Sequence, residues 1–229
     1  MSEFCLLVDT TLSGVALGLT DLESGQLIGS ESDEDLLGGS KSLTEKLKIL
    51  TDLHKISASE IRYLCVSTGP GSFTGIKVGL AFVYGLLRGG NSLSLPVSSL
   101  GLIASRLVES HSNVAVFLPA TKSRGALALA TKDDLEILDT DINNAELMSA
   151  LHDRTVVLLK PWTALQELLT KSGVPYEVLK PGVVLEKSME TMSAKAVQSF
   201  AKGAYVKQLP VPFYLRKSAA EEKLEQKGV

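Results

Sequence analysis

Two successive halves of the chain carry the same order of hydrophobic patterns, and this duplication limits the fold more than any other feature. Phe4-Cys5-Leu6-Leu7-Val8 is a continuous apolar run closed by Asp9-Thr10-Thr11. Such a run is the pattern of a central strand covered on both faces. Residues 15–20 and 27–32 read as two further strands around the turn Glu23-Ser24-Gly25-Gln26. Leu43, Leu47, Leu50 and His54 then share one stripe, with Ile49 and Leu53 beside it, which predicts an amphipathic helix over residues 42–55. Ser57-Ala58-Ser59-Glu60 has the capping-box spacing of a short helical turn. A fourth strand over residues 63–67 leads into the glycine loop Gly69-Pro70-Gly71-Ser72-Phe73-Thr74-Gly75. An apolar helix over residues 76–88 follows, stopped by Gly89-Gly90-Asn91. The order is βββαβα. The second half repeats it, with strands over residues 114–118, 126–130 and 135–138, a helix over 144–151, a strand over 155–159 and a helix over 161–171 with proline in its first turn. Residues 102–109 read as a connecting helix, residues 176–179 as another strand, residues 188–207 as a long helix, and the tail from Ser218 as a polar end.

Two βββαβα units predict a duplicated α/β fold with a cleft between lobes, each lobe a mixed five-stranded sheet with flanking helices. The expected division is an N-terminal lobe over residues 1–105 and a C-terminal lobe over 106–229, with the last helix and tail packing back on the first lobe. This is the pattern of the actin, sugar-kinase and Hsp70 superfamily, also called actin-like or RNase H-like. A fold of this kind hosts many activities and does not choose among them.

Composition narrows the choice. The 229 residues include 45% apolar and 21% charged, and the mean hydropathy is +0.19, so either the core is generous or some apolar surface meets a partner. No run approaches the ~20 apolar residues of a membrane span. The start has no basic stretch before its apolar run, and the first Lys or Arg is Lys41, so a secretory signal is not expected. Cys5 and Cys65 lie inside apolar runs and read as buried thiols of a reducing cytoplasm. Residues 1–40 carry eight acids and no base, within a net charge of −3. With only 5% aromatic residues, nucleic-acid binding by the chain alone is disfavoured, although cooperation with a more basic partner is not.

The glycine loop stands between a strand and a helix, where N-terminal amides can hold an anion. It lacks the Gly-Lys-Ser/Thr of a P-loop, because Ile76 separates Gly75 from Lys77, and it lacks the Rossmann spacing. The glycines alone are also accounted for by a tight β-to-α turn. The helix after it is apolar nearly all round, which requires cover on every side, either by the chain itself or by a partner. The docking reading takes Leu80, Val83, Tyr84 and Leu87 as anchors, Ile76 beside them, and Gly79 as the point of close approach, with Leu43, Leu47 and Leu50 of the preceding helix completing the surface. Asp9, Thr10 and Thr11 occupy the place where ATPases of this fold organise metal and phosphate. The plain alternative is an Asx turn of Asp9 onto Thr11. The second half offers Pro119-Ala120-Thr121-Lys122 and Leu159-Lys160-Pro161-Trp162, with neither acid nor glycine loop, so any nucleotide site is degenerate. His54, His111 and His152 are scattered, with no His-x-x-x-His pair and no Cys cluster; a Ser-His-Asp triad stays open, although no Gly-x-Ser-x-Gly elbow marks one serine above the others.

The run Val66-Ser67-Thr68-Gly69-Pro70-Gly71-Ser72-Phe73-Thr74-Gly75-Ile76-Lys77-Val78-Gly79 closely resembles the GPGSFTG signature of the TsaB (YeaZ) family. Leu7-Val8-Asp9-Thr10-Thr11 is similar to that family's first strand, and Pro212-Phe213-Tyr214-Leu215-Arg216 to its closing element. The second half departs from the family. Lys122-Ser123-Arg124 keeps only the arginine of Asp-Ala-Arg, Leu159-Lys160-Pro161 replaces Gly-Asp-Gly, and Gly39-Ser40-Lys41-Ser42 stands near the usual His-Ser. The resemblance implies a non-catalytic scaffold that pairs with TsaD through first-lobe helices, or with a second copy of itself when alone. It implies an assembly with the ATPase TsaE that transfers threonylcarbamoyl to a tRNA adenosine. No metal or cofactor of its own is implied; ATP and metal belong to the partners, and tRNA is met through the complex. The rival readings are a glycopeptidase-like hydrolase and a small ATP-binding kinase of the same superfamily.

Overall fold

The computed structural model describes residues 3–34 and 39–215, with only the backbone of 39–42. Arg216 of the closing element and the tail from Ser218 lie outside the described residues. The first sheet contains β1 (Phe4–Asp9), β2 (Val15–Asp21), β3 (Gln26–Asp33), β4 (Ile61–Ser67) and β5 (Leu93–Val97), in the order β3-β2-β1-β4-β5. β1, β2 and β3 form an antiparallel meander, while β4 pairs parallel with β1 and β5 parallel with β4. The second sheet repeats the plan with β6 (Asn113–Pro119), β7 (Arg124–Thr131), β8 (Leu135–Asp141), β9 (Thr155–Leu158) and β10 (Tyr176–Val178), in the order β10-β9-β6-β7-β8. Its pairing senses match strand for strand. The chain therefore adopts the duplicated actin-like α/β fold.

Among the described residues six α-helices cover these sheets: α1 (Gly39–His54), α2 (Phe73–Gly89), α3 (Ser99–Val108), α4 (Leu147–Ala150), α5 (Thr163–Lys171) and α6 (Pro181–Ala201). The two-residue alternation of a strand explains why β1 is apolar throughout. Leu6 and Val8 point to one side, into a core with Leu43 and Leu50 of α1 and with Ile76, Leu80 and Val83 of α2. Cys5 and Leu7 point to the other, against Leu185, Met189, Met192 and Ala196 of α6. In the second sheet Val114, Val116 and Leu118 meet Leu100, Ile103 and Leu107 of α3. Ala115 and Phe117 meet Leu147, Trp162, Leu165 and Leu169 on the opposite face.

The long helices are thus exchanged between lobes. α3 follows the first sheet in sequence but covers the second, and α6 follows the second sheet but covers the first. A division at residue 105 falls inside α3.

Several boundaries differ from the periodicity reading. α2 starts at Phe73 rather than 76, because the Ser72 side chain caps it by accepting from the Gly75 amide at 3.2 Å. α3 starts at Ser99 for the same reason, capped by Ser98 onto the Gly101 amide. α6 spans Pro181–Ala201, not 188–207, since Pro181 occupies its first turn and Lys202-Gly203 ends it. The helix over 144–151 shrinks to the single turn α4. β5 is an edge strand that contains Pro96, the kind of strand that tolerates proline.

Candidate functional site

β1 delivers Asp9 to the carboxyl end of the first sheet, and the backbone turns there through Thr10 and Thr11. All three are buried, at 0%, 1% and 0% exposure respectively. The carboxylate is saturated from within. The Thr11 amide donates to Asp9 Oδ1 at 2.9 Å and the Thr11 hydroxyl to the same oxygen at 2.7 Å, which is the Asx turn. Ser188 of α6 donates its hydroxyl to Asp9 Oδ2. The Thr11 hydroxyl also lies 2.6 Å from Ser99 Oγ, which accepts from the Gly69 amide at 3.2 Å. Asp9 therefore joins the first strand, the glycine loop and both exchanged helices.

The glycine loop packs directly on this turn. A Cβ at Gly75 would stand 1.8 Å from the Thr10 carbonyl oxygen, and one at Gly71 2.3 Å from the Thr11 carbonyl oxygen. The Ser72 amide donates to the Thr11 carbonyl at 2.7 Å, and the Thr10 hydroxyl to the Gly75 carbonyl at 2.6 Å. Here the glycines serve contact between two backbones, and the Gly69, Ser72 and Gly75 amides donate to the Ser99 hydroxyl, the Thr11 carbonyl and the Ser72 hydroxyl. Both Asp9 oxygens accept hydrogen bonds from within the chain, and the loop rests on Thr10 and Thr11. Among the described residues no group of three or more His, Cys, Asp or Glu is placed to hold a metal ion.

The docking anchors require correction. Ile76, Leu80 and Val83 are 0%, 4% and 0% exposed, and Leu43 and Leu50 are 0% and 1%, all inside the first-lobe core. Leu47 and Leu87 are half-buried against the same core. Gly79 approaches Thr10 of this chain, where a Cβ would stand 2.4 Å from the hydroxyl oxygen. Tyr84 is also committed internally, donating its hydroxyl to the Pro210 carbonyl. The reason lies in the helix itself. Apolar on nearly every side, α2 gives periodicity no means of telling the side facing the sheet from the side facing out. The outer side carries Ala81 and Gly85, flanked by half-buried Val78, Phe82 and Leu86. On neighbouring α1, Ile49 and Leu53 are 48% and 69% exposed. At the C-terminal end of α2, against the start of β4, lies a groove of about 690 Å³ lined by Leu47, Ser59, Arg62, Gly85, Leu86 and Asn91.

One element escaped the periodicity reading altogether. After α6, residues 205–215 run back over the first lobe as a strap. Ser94 and Val206 bond as an antiparallel bridge, Ser94 Oγ donates to the Gln208 carbonyl at 2.7 Å, and the Phe213 amide donates to the Thr68 carbonyl at 2.8 Å. Its apolar residues follow no period, so only the closing Pro-Phe-Tyr-Leu could have signalled it.

With that geometry in place, known proteins give the family. A family model described as TsaD: tRNA N6-adenosine threonylcarbamoyltransferase matches residues 40–208. The tRNA threonylcarbamoyladenosine biosynthesis protein TsaB of Escherichia coli (strain K12) is 30% identical over 182 residues, covering 75% of this chain and 78% of that protein. The chain belongs to the TsaB (YeaZ) family. YeaZ from Pseudomonas aeruginosa matches with TM-score 0.70 at 18% identity, over 93% of this chain and 100% of that one. A second crystal structure, described as a protein with similarity to peptidase YEAZ from Pseudomonas aeruginosa, matches with TM-score 0.71 at 16% identity over the same shares. At these identities the two structures speak for the TsaB-type fold alone. No described helix is long and apolar enough to cross a membrane.

Proposed function

We propose that this chain is a non-catalytic partner of TsaD in tRNA threonylcarbamoyladenosine synthesis. It acts as a scaffold in an assembly with TsaE that moves threonylcarbamoyl onto a tRNA adenosine. The observation that carries this reading is the state of Asp9. The carboxylate that would organise metal and phosphate in an ATPase of this fold is fully buried and serves as a hydrogen-bonded hub. The chain then binds no nucleotide or metal of its own. ATP and metal sit on the partner subunits, and tRNA is engaged through the complex. The relative's printed name and the family model support the pathway.

The docking surface is the outer side of α1 and α2, with Ile49, Leu53, Ala81 and Gly85 at its centre. Gly85 has no atom within 4 Å of where its Cβ would stand, so a partner helix can approach the backbone closely there. In the absence of TsaD the same face pairs two copies of the chain. The deciding experiment is reconstitution. The pure chain is incubated with ATP or with peptide substrates, and then with TsaD, TsaE, tRNA and the threonylcarbamoyl donor. Silence alone, with transfer that depends on the chain in the full mixture, is the expected result. Turnover by the chain alone at about 1 s⁻¹ or faster would make it an enzyme and overturn the reading.

A further inference from the structure

One flank of α2 differs in chemistry from the docking side. Phe73, Lys77, Tyr84 and Arg88 recur at spacings of four, seven and four residues, which is one stripe of a helix. The strap lies along this stripe in the opposite direction, with Pro210 at Tyr84 and Tyr214 at Phe73. The Phe73 and Tyr214 rings are 5.1 Å apart, and Lys77 Nζ stands 4.0 Å from the Phe73 ring centre. Phe73, Phe213 and Tyr214 remain 43%, 38% and 39% exposed. Large aromatic rings normally bury themselves, so three neighbouring ones in water imply a ligand with flat faces.

The backbone beneath the rings is fixed. The Phe213 amide bonds to Thr68, and the Phe213 carbonyl oxygen lies 2.5 Å from where a Cβ on Gly69 would be. The rings are thus held in place before any ligand arrives. The charge is also one-sided. Residues 61–108 and 191–215 contain no Asp or Glu, and Lys77 and Arg88 stand on this flank, in a chain whose net charge is −3. Aromatic rings beside cations are the elements of a stacking platform for single-stranded nucleic acid.

We propose that the flank formed by Phe73, Lys77, Arg88, Phe213 and Tyr214 contacts a single-stranded segment of RNA, with bases against the rings and phosphates against the cations. This rests on the reading above, in which RNA reaches the chain as part of a complex. It adds the surface the RNA touches. The acidic first 40 residues explain why the contact is weak until a partner subunit shares the load.

The test is fluorescence anisotropy with a labelled RNA hairpin carrying a single-stranded loop, and with the same stem as a blunt duplex. Each is titrated with the chain alone and with the complex it forms with TsaD. Tyr214→Ala and Phe213→Ala are expected to weaken hairpin binding at least about fivefold and to leave duplex binding unchanged. Lys77→Gln is expected to weaken binding and to reduce the slope of log affinity against log salt by about 0.7. Bromouridine in the hairpin loop should crosslink to the strap of the wild-type chain, a readout independent of any variant's folding. Wild-type hairpin affinity in all three variants, with no crosslink to the strap or to Phe73, overturns the proposal. So does a Tyr214→Ala chain that loses TsaD but keeps its hairpin affinity, because the flank would then be a protein contact. If the wild-type chain fails to bind TsaD while the variants still weaken hairpin binding, the partner reading falls and the RNA surface stands.

Discussion

At the residue scale, Asp9 is a buried carboxylate bonded to Thr11 and Ser188. Its place at the end of the first strand is legible in the sequence, and so is the Asx turn onto Thr11. Its partner Ser188 stands 179 positions away on another helix, and no local pattern points there. Removing the carboxylate leaves the hydroxyl of Ser188 and the amide of Thr11 buried without acceptors. Asp9→Ala should therefore lower stability by about 1–3 kcal/mol in urea unfolding, while threonylcarbamoyl transfer in the reconstituted mixture persists. Transfer lost at unchanged stability would mean that Asp9 acts on a ligand. The cysteines give a pH test. Burial raises the Cys5 thiol from 9.0 to about 12 and Cys65 also well above its ordinary value. Both thiols are neutral in folded and unfolded chains below pH 9, so stability is fully present there. Between pH 9 and about 12 the unfolded Cys5 ionises and the folded one does not. Stability should then fall by up to about 1.4 kcal/mol per pH unit for this thiol. Denaturant titrations from pH 8 to 11 on the wild type and on Cys5→Ala check this, and an unchanged slope in the variant would refute it.

At the element scale, periodicity located the helices but could not orient α2. Amphipathic α1 was readable, since Leu43 and Leu50 face the sheet while Lys48 and Asp52 pair in solvent at 2.8 Å. In α2 apolar residues and glycines occupy all but one flank, so its inner side emerges only from contacts with Thr10, Leu6 and Val8. β5 was missed because five residues that include a proline look like a loop until β4 supplies the pairing partner. The corrected orientation changes what mutations should do. Val83→Glu places a charge in a closed core, and the expected outcome is an unfolded chain rather than a folded one deprived of its partner. Gly85 is the informative site. It is exposed in mid-helix with nothing near its Cβ direction. Gly85→Ala should raise the stability of the isolated chain by about 0.5–1 kcal/mol. The same methyl group should weaken TsaD binding, and Gly85→Leu should weaken it further by holding the two helices apart. Thermal unfolding and TsaD pull-down, measured on the same preparations, separate the two effects. A stabilised Gly85→Ala chain that binds TsaD as tightly as the wild type would remove α2 from the interface.

At the scale of the whole molecule, the duplicated order was legible and the return of the last helix to the first lobe was expected, but the cover of the second sheet by α3 was not. A repeat in sequence says which elements each half owns, but it does not say which sheet each helix covers. The exchange has a thermodynamic consequence. Without α6, the β1 face carrying Cys5 and Leu7 would be open to water; without α3, so would the β6 face carrying Val114 and Val116. One face of each sheet is closed only by a helix from the other half of the chain, so the halves are expected to unfold together. The chain supplies a separate reporter for each lobe. Its one tryptophan, Trp162, is 4% exposed and packs against Phe117 in the second lobe. Its two cysteines, both fully buried, lie in the first. In a urea titration, tryptophan emission and thiol labelling should give coincident midpoints and a single transition. Shortening the chain to residues 1–105 removes α6 and should leave Cys5 and Cys65 open to thiol reagents without denaturant. Labelling that runs ahead of the tryptophan transition, or a shortened chain that protects its thiols, would show that the first lobe stands alone and that the exchanged helices do not couple the two.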